Sequence, residues 1–160
     1  TNNSRGQPIT VVEDDLMHFD KYINTKVELI VCMTDTLLHL DTKDKIVMLF
    51  NKVFEALEEK GKFILTFRDL SSELSGTDRF IPVKNDETTI FTCFLEYEPE
   101  TVKVHDIVYK KENDRWRLYK SFYRKIRLSK DWIEEQLSRV GFNEVTLSVE
   151  NGLITIIAVK

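Results

Sequence analysis

The chain has 160 residues, 23 Lys and Arg against 27 Asp and Glu, a net charge of −4, 42% hydrophobic and 31% charged residues. At roughly 100–200 residues per domain the length accommodates one core, and the composition excludes intrinsic disorder and fibrous repeats. The acidic balance argues against duplex nucleic acid as the partner. No apolar run approaches the ~18 residues of a membrane span, and the polar start from Thr1 to Gln7 is no secretory signal, so a cytoplasmic protein with small-molecule or protein partners is the expectation.

Ile9 to Val12 is β-branched and stops at Glu13, Asp14 and Asp15, the pattern of a strand ending in a loop. Val27 to Met33 (VELIVCM) is nearly continuously apolar, as in a strand of a parallel sheet buried on both faces. From Thr42 to Glu59 the residues Ile46, Val47, Leu49, Phe50, Val53, Phe54 and Leu57 recur at helical spacing. Asp41 or Thr42 is the expected N-cap, and Gly61 the expected stop. Lys62 to Phe67 (KFILTF) follows as a second buried strand, completing a right-handed βαβ unit.

Beyond a polar stretch with Ser71, Ser72, Ser75 and Gly76 come three alternating segments, Thr89–Glu98, Val102–Lys111 and Arg115–Leu128. Their short polar joins predict an antiparallel meander with one solvated face. Lys130–Val140 reads as a helix capped by Ser129 and stopped by Gly141. Asn151-Gly152, between the β-branched runs Glu144–Val149 and Leu153–Val159, predicts a hairpin with a type I′ turn. The class is α/β with a mixed sheet. Cys32 and Cys93 lack metal-ligand spacing and are expected as buried reduced thiols.

The third meander segment mixes Trp116, Tyr119, Phe122 and Tyr123 with Arg117, Lys120, Arg124, Lys125 and Arg127. Ordinary alternation, rings inward and charges outward, accounts for this pattern. A stacking surface for single-stranded nucleic acid is the competing reading.

VELIVCMTDTLLHL, the amphipathic helix, Gly61 and KFILTFRDL resemble the central part of class I S-adenosylmethionine-dependent methyltransferases, and the likeness extends to the final helix and hairpin. It implies a partial Rossmann-like sheet with a C-terminal antiparallel hairpin and an inserted antiparallel meander at 89–128, all within one domain, residues 1–160. The strand–Gly-rich loop–helix–strand with which that family begins has no counterpart: the only glycine before Gly61 is Gly6. The missing strands would pair with Ile9–Val12. That segment is therefore expected to be poorly ordered, docked unusually, or paired with a second molecule, for instance in a homodimer formed by strand exchange at residues 1–20.

The resemblance implies S-adenosylmethionine as cofactor and a small-molecule or protein methyl acceptor. ITVVEDDLMHF matches the adenine-binding strand end, with Asp15, or Asp14, accepting from the adenine amino group and the Leu16 amide facing the ring. Cys32, Met33 and Thr34 fall where the cofactor's methionine side meets the acceptor. Asp35, Arg68, Asp69 and Arg79 are the substrate-binding candidates and His39 the candidate base. Each has a plainer reading: Asp14 and Asp15 as turn caps, Asp35 as a helix cap, His39 as a packed histidine, Arg68 and Asp69 as a mutual pair or an anchor for the meander. A chain without the glycine-rich loop is expected to be inactive alone, and a non-catalytic binding or scaffold module is the alternative.

Overall fold

In the computed structural model, which describes residues 9–160, β1 (Val27–Cys32) and β2 (Leu57–Phe67) run parallel, joined through α1 (Lys43–Ala56). The Thr42 side chain accepts from the Lys45 amide and caps α1. The helix buries Ile46, Leu49, Phe50 and Val53, residues whose spacing places them on one face. That face packs on the β2 side chains Phe63, Leu65 and Phe67 and, through them, on the sheet core. The Phe50 and Phe63 rings meet edge-on at 5.9 Å. Each such fully buried side chain contributes about 1.5–3 kcal/mol of transfer free energy.

The helix ends at Ala56, three residues before the expected Glu59 and five before Gly61. Fully buried Leu57 is drawn into the ladder opposite Val27. The C-terminal carbonyls are also satisfied from afar, since the Lys160 ammonium donates to Phe54 O at 2.7 Å and Leu57 O at 2.9 Å. A cation at this end of a helix opposes its dipole favourably. Gly61 serves instead in the irregular stretch that follows, where a Cβ would lie 2.8 Å from the Glu58 carbonyl oxygen.

The hairpin β7 (Glu144–Glu150) and β8 (Leu153–Val159) completes the first sheet, in the order β1-β2-β8-β7 with β8 antiparallel to β2. Asn151 and Gly152 both have positive φ, 49° and 74°, as a type I′ turn requires. Before the hairpin, α2 (Lys130–Val140) is capped by Ser129 and ends at Gly141 with φ 120°. Both helices cover the same sheet face, burying Phe63, Leu65, Phe67, Ile154, Ile156 and Ala158.

The opposite face explains a failed expectation. Leu29 and Val31 are about half exposed, at 51% and 52%, so β1 is not buried on both faces: no described element covers that side. Ile9–Val12 forms no strand, and Ile9, Val11 and Val12 are exposed. Without an adjacent strand to exchange backbone hydrogen bonds, β-branched composition alone does not hold four residues extended. The first eight residues of the proposed strand-exchange segment lie outside the described residues.

The meander forms a sheet of its own with four strands rather than three: β3 (Phe80–Asn85), β4 (Thr89–Tyr97), β5 (Thr101–Glu112) and β6 (Arg115–Ile126). β3 escapes sequence reading because it contains Pro82, which cannot donate to a ladder and is tolerated only at edges or irregularities. Here it sits on the edge strand at a register shift between Pro82 and Lys84. The Asp86 carboxylate closes the β3–β4 turn by accepting from the Thr88 and Thr89 amides at 2.8 and 2.7 Å. Arg127 fastens this sheet to the loop after β2, donating to the carbonyls of Leu70, Ser71 and Glu98 and to the Glu73 carboxylate.

Candidate functional site

The parallel strands set the position of the site, because their carboxyl ends open on one side of the sheet. β1 ends at Cys32, which is buried; desolvation pushes its thiol up to about 11, so it stays protonated. Thr34 has φ 57°, a left-handed conformation that a β-branched residue adopts at a strain of order 1–3 kcal/mol. The surroundings hold it there. The Thr34 amide donates to the hydroxyl of Thr66, one of the few buried polar residues, and the hydroxyls of Thr34 and Thr36 both donate to Met33 O. Met33 itself is about half exposed.

Asp35 follows at the start of a short 3₁₀ segment, Thr34–His39, but it does not cap it. Its carboxylate accepts from the Arg68 amide at 2.9 Å, the Arg68 guanidinium at 3.3 Å and the Lys125 ammonium at 2.6 Å. Lys125 lies near the end of β6, so this pair joins the ends of β1 and β2 to the second sheet. Burial alone would raise the Asp35 carboxyl, but its bonds to Lys125 and Arg68 outweigh that and hold it below the usual range.

His39 stands at the other end of the 3₁₀ segment, its ring 5.4 Å from that of Tyr123. Desolvation first, and the Lys125 charge second, lower its affinity for a proton, with Asp35 opposing. The imidazole is thus biased toward the neutral form, which has a free acceptor nitrogen. Tyr123 is shifted up by burial and by the neighbouring Asp106 carboxylate, and remains a phenol. Asp106 also accepts from the Cys93 thiol at 3.4 Å and from the Ser121 hydroxyl at 3.4 Å. Cys93 is half-buried rather than buried as expected, packed at the margin of the small second-sheet cluster of Leu95, Val102 and Val104.

A cleft of about 370 Å³ lies beside His39, lined by Asp15, Leu16, Met17, Thr36, His39, Leu40, Asp41 and Lys45. It brings together three residues that the sequence reading separated by function: Asp15 and Leu16 from the adenine-binding pattern and His39 as the base. Leu16 also reaches Cys32 across a smaller apolar cleft of about 180 Å³ with Phe19, Ile30 and Val31. Asp15 caps the 3₁₀ segment Leu16–Tyr22 through one carboxylate oxygen, which accepts from the Met17 amide at 2.8 Å. Asp14 turns away, bound to the Tyr22 hydroxyl at 2.6 Å and the His18 ring at 3.2 Å. Those bonds hold its carboxyl far below the ordinary value.

Met33, Thr34, Asp35 and Arg68 stand at the strand ends without lining this cleft, and two further candidates, Asp69 and Arg79, lie away from both. Asp69 accepts from the Ser71 amide and, at 3.2 Å, from the Lys130 amide at the start of α2, which is an anchoring role. Arg79 stacks its guanidinium 4.9 Å from the Phe94 ring on the second sheet, and its Nε is buried without a hydrogen-bond partner. Conversely, Lys125, Tyr123 and Thr66 join the site although none had been singled out for it. For Lys125 and Tyr123 the signal was present in the alternation along β6, which puts residues two apart on one face.

A cofactor of the S-adenosylmethionine type meets a partial fit here. The cleft offers a carboxylate at Asp15, apolar walls at Leu16 and Leu40, and the neutral imidazole of His39. No glycine-rich turn occurs in the sequence to approach a ribose or a methionine arm, since its five glycines stand singly.

No family model matches the sequence, and no curated protein matches it. Solved structures do match the fold. A S-adenosylmethionine-dependent methyltransferase from Clostridium acetobutylicum aligns with TM-score 0.76 at 18% identity over 98% of this chain and 66% of that one. DesVI from Streptomyces venezuelae aligns with TM-score 0.71 at 15% identity, over 92% and 63% of the two chains. CalS10 from Micromonospora echinaspora, an amino pentose methyltransferase solved with S-adenosylmethionine bound, gives TM-score 0.71 at 10% identity over 91% and 62%. The chain spans just under two thirds of the length of these structures. Over that span, its strand order, reversed C-terminal hairpin and inserted sheet make up a class I S-adenosylmethionine-dependent methyltransferase-like fold.

Proposed function

We propose that this chain carries the adenine side and the acceptor side of a S-adenosylmethionine-dependent methyltransferase, in a partial form that does not turn over alone. The observation that carries this reading is the convergence of Asp15, Leu16 and His39 on one cleft, beside the carboxyl ends of parallel strands where such sheets bind ligands. The cofactor supplies an electrophilic methyl group on a sulfonium, which an acceptor atom displaces in line as the carbon–sulfur bond breaks and the sulfur leaves as a neutral thioether.

The chain's own residues have three tasks. Asp15 accepts a hydrogen bond from an exocyclic amine with the carboxylate oxygen that the Met17 amide leaves free. The Asp35–Lys125 and Asp35–Arg68 contacts fix the second sheet over the strand ends, and with it Tyr123 beside His39. Such positioning supplies much of the acceleration of a displacement between two bound reactants. His39 takes the proton of a protonated acceptor on its free ring nitrogen. The acceptor, a small molecule or a protein side chain, approaches His39 from the cleft side, with Tyr123 backing the imidazole and Asp35 and Arg68 at the neighbouring strand ends. A cytoplasmic location fits this chemistry, and among the described residues no helix is long and apolar enough to cross a membrane.

The test is calorimetric titration of S-adenosylhomocysteine into the chain, with adenosine as a second ligand. Micromolar binding of the homocysteine compound that Asp15→Ala abolishes is the expected result. Binding that Asp15→Ala leaves unchanged would refute the role of Asp15. A folded chain that binds neither ligand would favour the second reading, a non-catalytic methyltransferase-like binding or scaffold module, for which the absence of a glycine-rich turn is the supporting feature.

A further inference from the structure

The rings of β6 do not all turn inward as the alternation suggested: Trp116 and Phe122 share the outer face with Lys120, while Tyr119, Ser121 and Tyr123 lie on the inner one. The inner face is the one that docks on Leu70. Register orders it in rows across β4, β5 and β6 that stand roughly 7 Å apart. Leu95, Val104 and Tyr123 form one row, and Cys93, Asp106 and Ser121 the next one outward. Leu95 and Val104 are buried, whereas Asp106 is half-buried and Ser121 exposed. The Asp106 row is thus where the docked part of the face gives way to solvent, and Val108 and Tyr119 follow beyond it.

A carboxylate drawn partly out of water between apolar rows is ordinarily paired with a cation. The other two carboxylates borne by β4, β5 and β6 conform. Glu96 meets Lys103 at 3.5 Å and His105 at 2.7 Å, and Glu112 meets Arg117 at 3.3 Å. Among the described residues Asp106 forms no ion pair, and its side chain accepts from the Cys93 thiol and the Ser121 hydroxyl, each at 3.4 Å. A thiol is a weak donor and 3.4 Å is long for a hydroxyl, so most of the accepting capacity of Asp106 is unused.

The cations of the same face are committed elsewhere. Lys125, two rows inward, is bound to Asp35 at 2.6 Å, and Arg68 reaches the same carboxylate at 3.3 Å. Lys84, at the edge one row outward, is tied to Asp86 at 2.8 Å. Lys110 and Arg117 lie two rows outward, about 14 Å from Asp106 along the strands. The neighbours of Asp106 record the resulting negative potential. The Cys93 thiol is pushed up to about 11, by burial first and then by Asp106, with Lys125 opposing. The Tyr123 phenol is raised by burial and next by Asp106.

Such a place selects a compact cation that can give several hydrogen bonds. A primary ammonium has three donors, enough for the carboxylate and the Ser121 oxygen together. The rings of Tyr123 and Tyr119 stand one row to either side on β6, and aromatic neighbours favour an organic cation further. A single carboxylate supplies too few oxygen ligands for a divalent metal ion.

We infer that Asp106 binds the ammonium group of a ligand on the inner face of the second sheet, with Ser121 as its second hydrogen-bond partner. The further step, that this ligand is the methyl acceptor, rests on the methyl-transfer reading. Tyr123, one row inward of Asp106, has its ring 5.4 Å from that of His39. The acceptor is then a molecule that reaches past the His39–Tyr123 pair and carries a protonated amine at least about 7 Å from the atom that is methylated. A neutral or acidic analogue of the same shape is rejected, because it leaves the carboxylate unpaired or repelled.

The experiment is titration of the ¹⁵N-labelled 160-residue chain at pH 7 with benzylamine, and with benzyl alcohol as the uncharged counterpart, followed by amide correlation spectra. Benzylamine should move the Asp106 and Ser121 resonances with a Kd of roughly 1–10 mM, as befits so small a probe, and benzyl alcohol should not. Asp106→Asn should raise that Kd at least tenfold, with Asp106→Ser as the substitute if the first variant does not fold. Asp44→Asn, on α1, should leave it unchanged. No movement at Asp106 and Ser121 up to about 20 mM, an equal response to benzyl alcohol, or a response that survives both Asp106 variants overturns the inference. S-adenosylhomocysteine added to the same samples separates the two readings. Its binding without a benzylamine response overturns the ammonium site and leaves methyl transfer standing. An Asp106-dependent benzylamine response in a chain that does not bind it supports the site and overturns its assignment to an acceptor.

Discussion

Replacing Lys125 by Met tests the contact on which the geometry of the site depends. Lys125 and Asp35 are 14% and 12% exposed and lie 2.6 Å apart, so solvent screens their attraction little. Removing one partner of a fully buried pair costs ~3–5 kcal/mol, because the other charge is stranded. Here Asp35 retains the Arg68 amide and guanidinium, which reduces the expected loss to about 2 kcal/mol. For a chain of this size that is a fall in Tm of roughly 4–8 °C. The Asp35→Asn, Lys125→Met double variant should lose less than Lys125→Met alone, since no charge is then left unpaired.

The pH dependence provides a second readout. Asp35 is held below its ordinary value of 3.8 in the folded state, so its ionisation favours folding above the unfolded pKa, and that stability is lost as pH falls through the lower folded value. The gap between wild type and Lys125→Met should therefore be full at pH 7 and close at the acid end, below pH ~4. Thermal unfolding followed by circular dichroism at pH 7, 5 and 3 measures it. A Lys125→Met Tm within about 1 °C of wild type at pH 7 would refute the argument, because such a pair would be contributing no more than an exposed one.

Two other outcomes follow from the same region. Nuclear magnetic resonance titration of the His39 ring should give a midpoint below 6.5, set by burial and the Lys125 cation, and Lys125→Met should move it upward. Since the folded value is depressed, His39 contributes no loss of stability at neutral pH but opposes folding as the pH falls below 6.5. Thr66→Val removes the hydroxyl that accepts from the Thr34 amide and leaves a donor unsatisfied at a strained turn, so urea unfolding should show a loss of about 1–3 kcal/mol. An unchanged urea midpoint would mean that Thr34 keeps its left-handed conformation without that bond.

The elements that were legible in the sequence are those whose determinants lie within a few residues of one another. Asn151-Gly152 specifies its turn because both residues tolerate positive φ. Ser129 and Gly141 bound α2 because a hydroxyl reaches the third amide ahead and a glycine accepts the left-handed exit. The apolar spacing of α1 is likewise a local record of its buried face. Of the candidate site, the stretch from Cys32 to Asp35 could be placed at the end of β1 from its apolar run, whereas Asp15 and Leu16 were candidates only through the family resemblance, since the strand they were expected to end does not form.

Tertiary structure decided the rest, for reasons that no local pattern contains. Ile9–Val12 and Phe80–Asn85 differ in the opposite sense from their compositions: the β-branched segment forms no strand because no described ladder meets it, whereas the Pro-containing one becomes an edge strand because β4 offers its free side. The end of α1 is set by Lys160, more than a hundred residues away, and Asp35 is claimed by Lys125, ninety residues away. The phase of β6, and with it the exposure of Phe122 and the inward turn of Tyr123, follows from which face of the second sheet docks on Leu70 and the end of β2. A strand's period of two records that its faces differ, but only the packed neighbour determines which of them meets water.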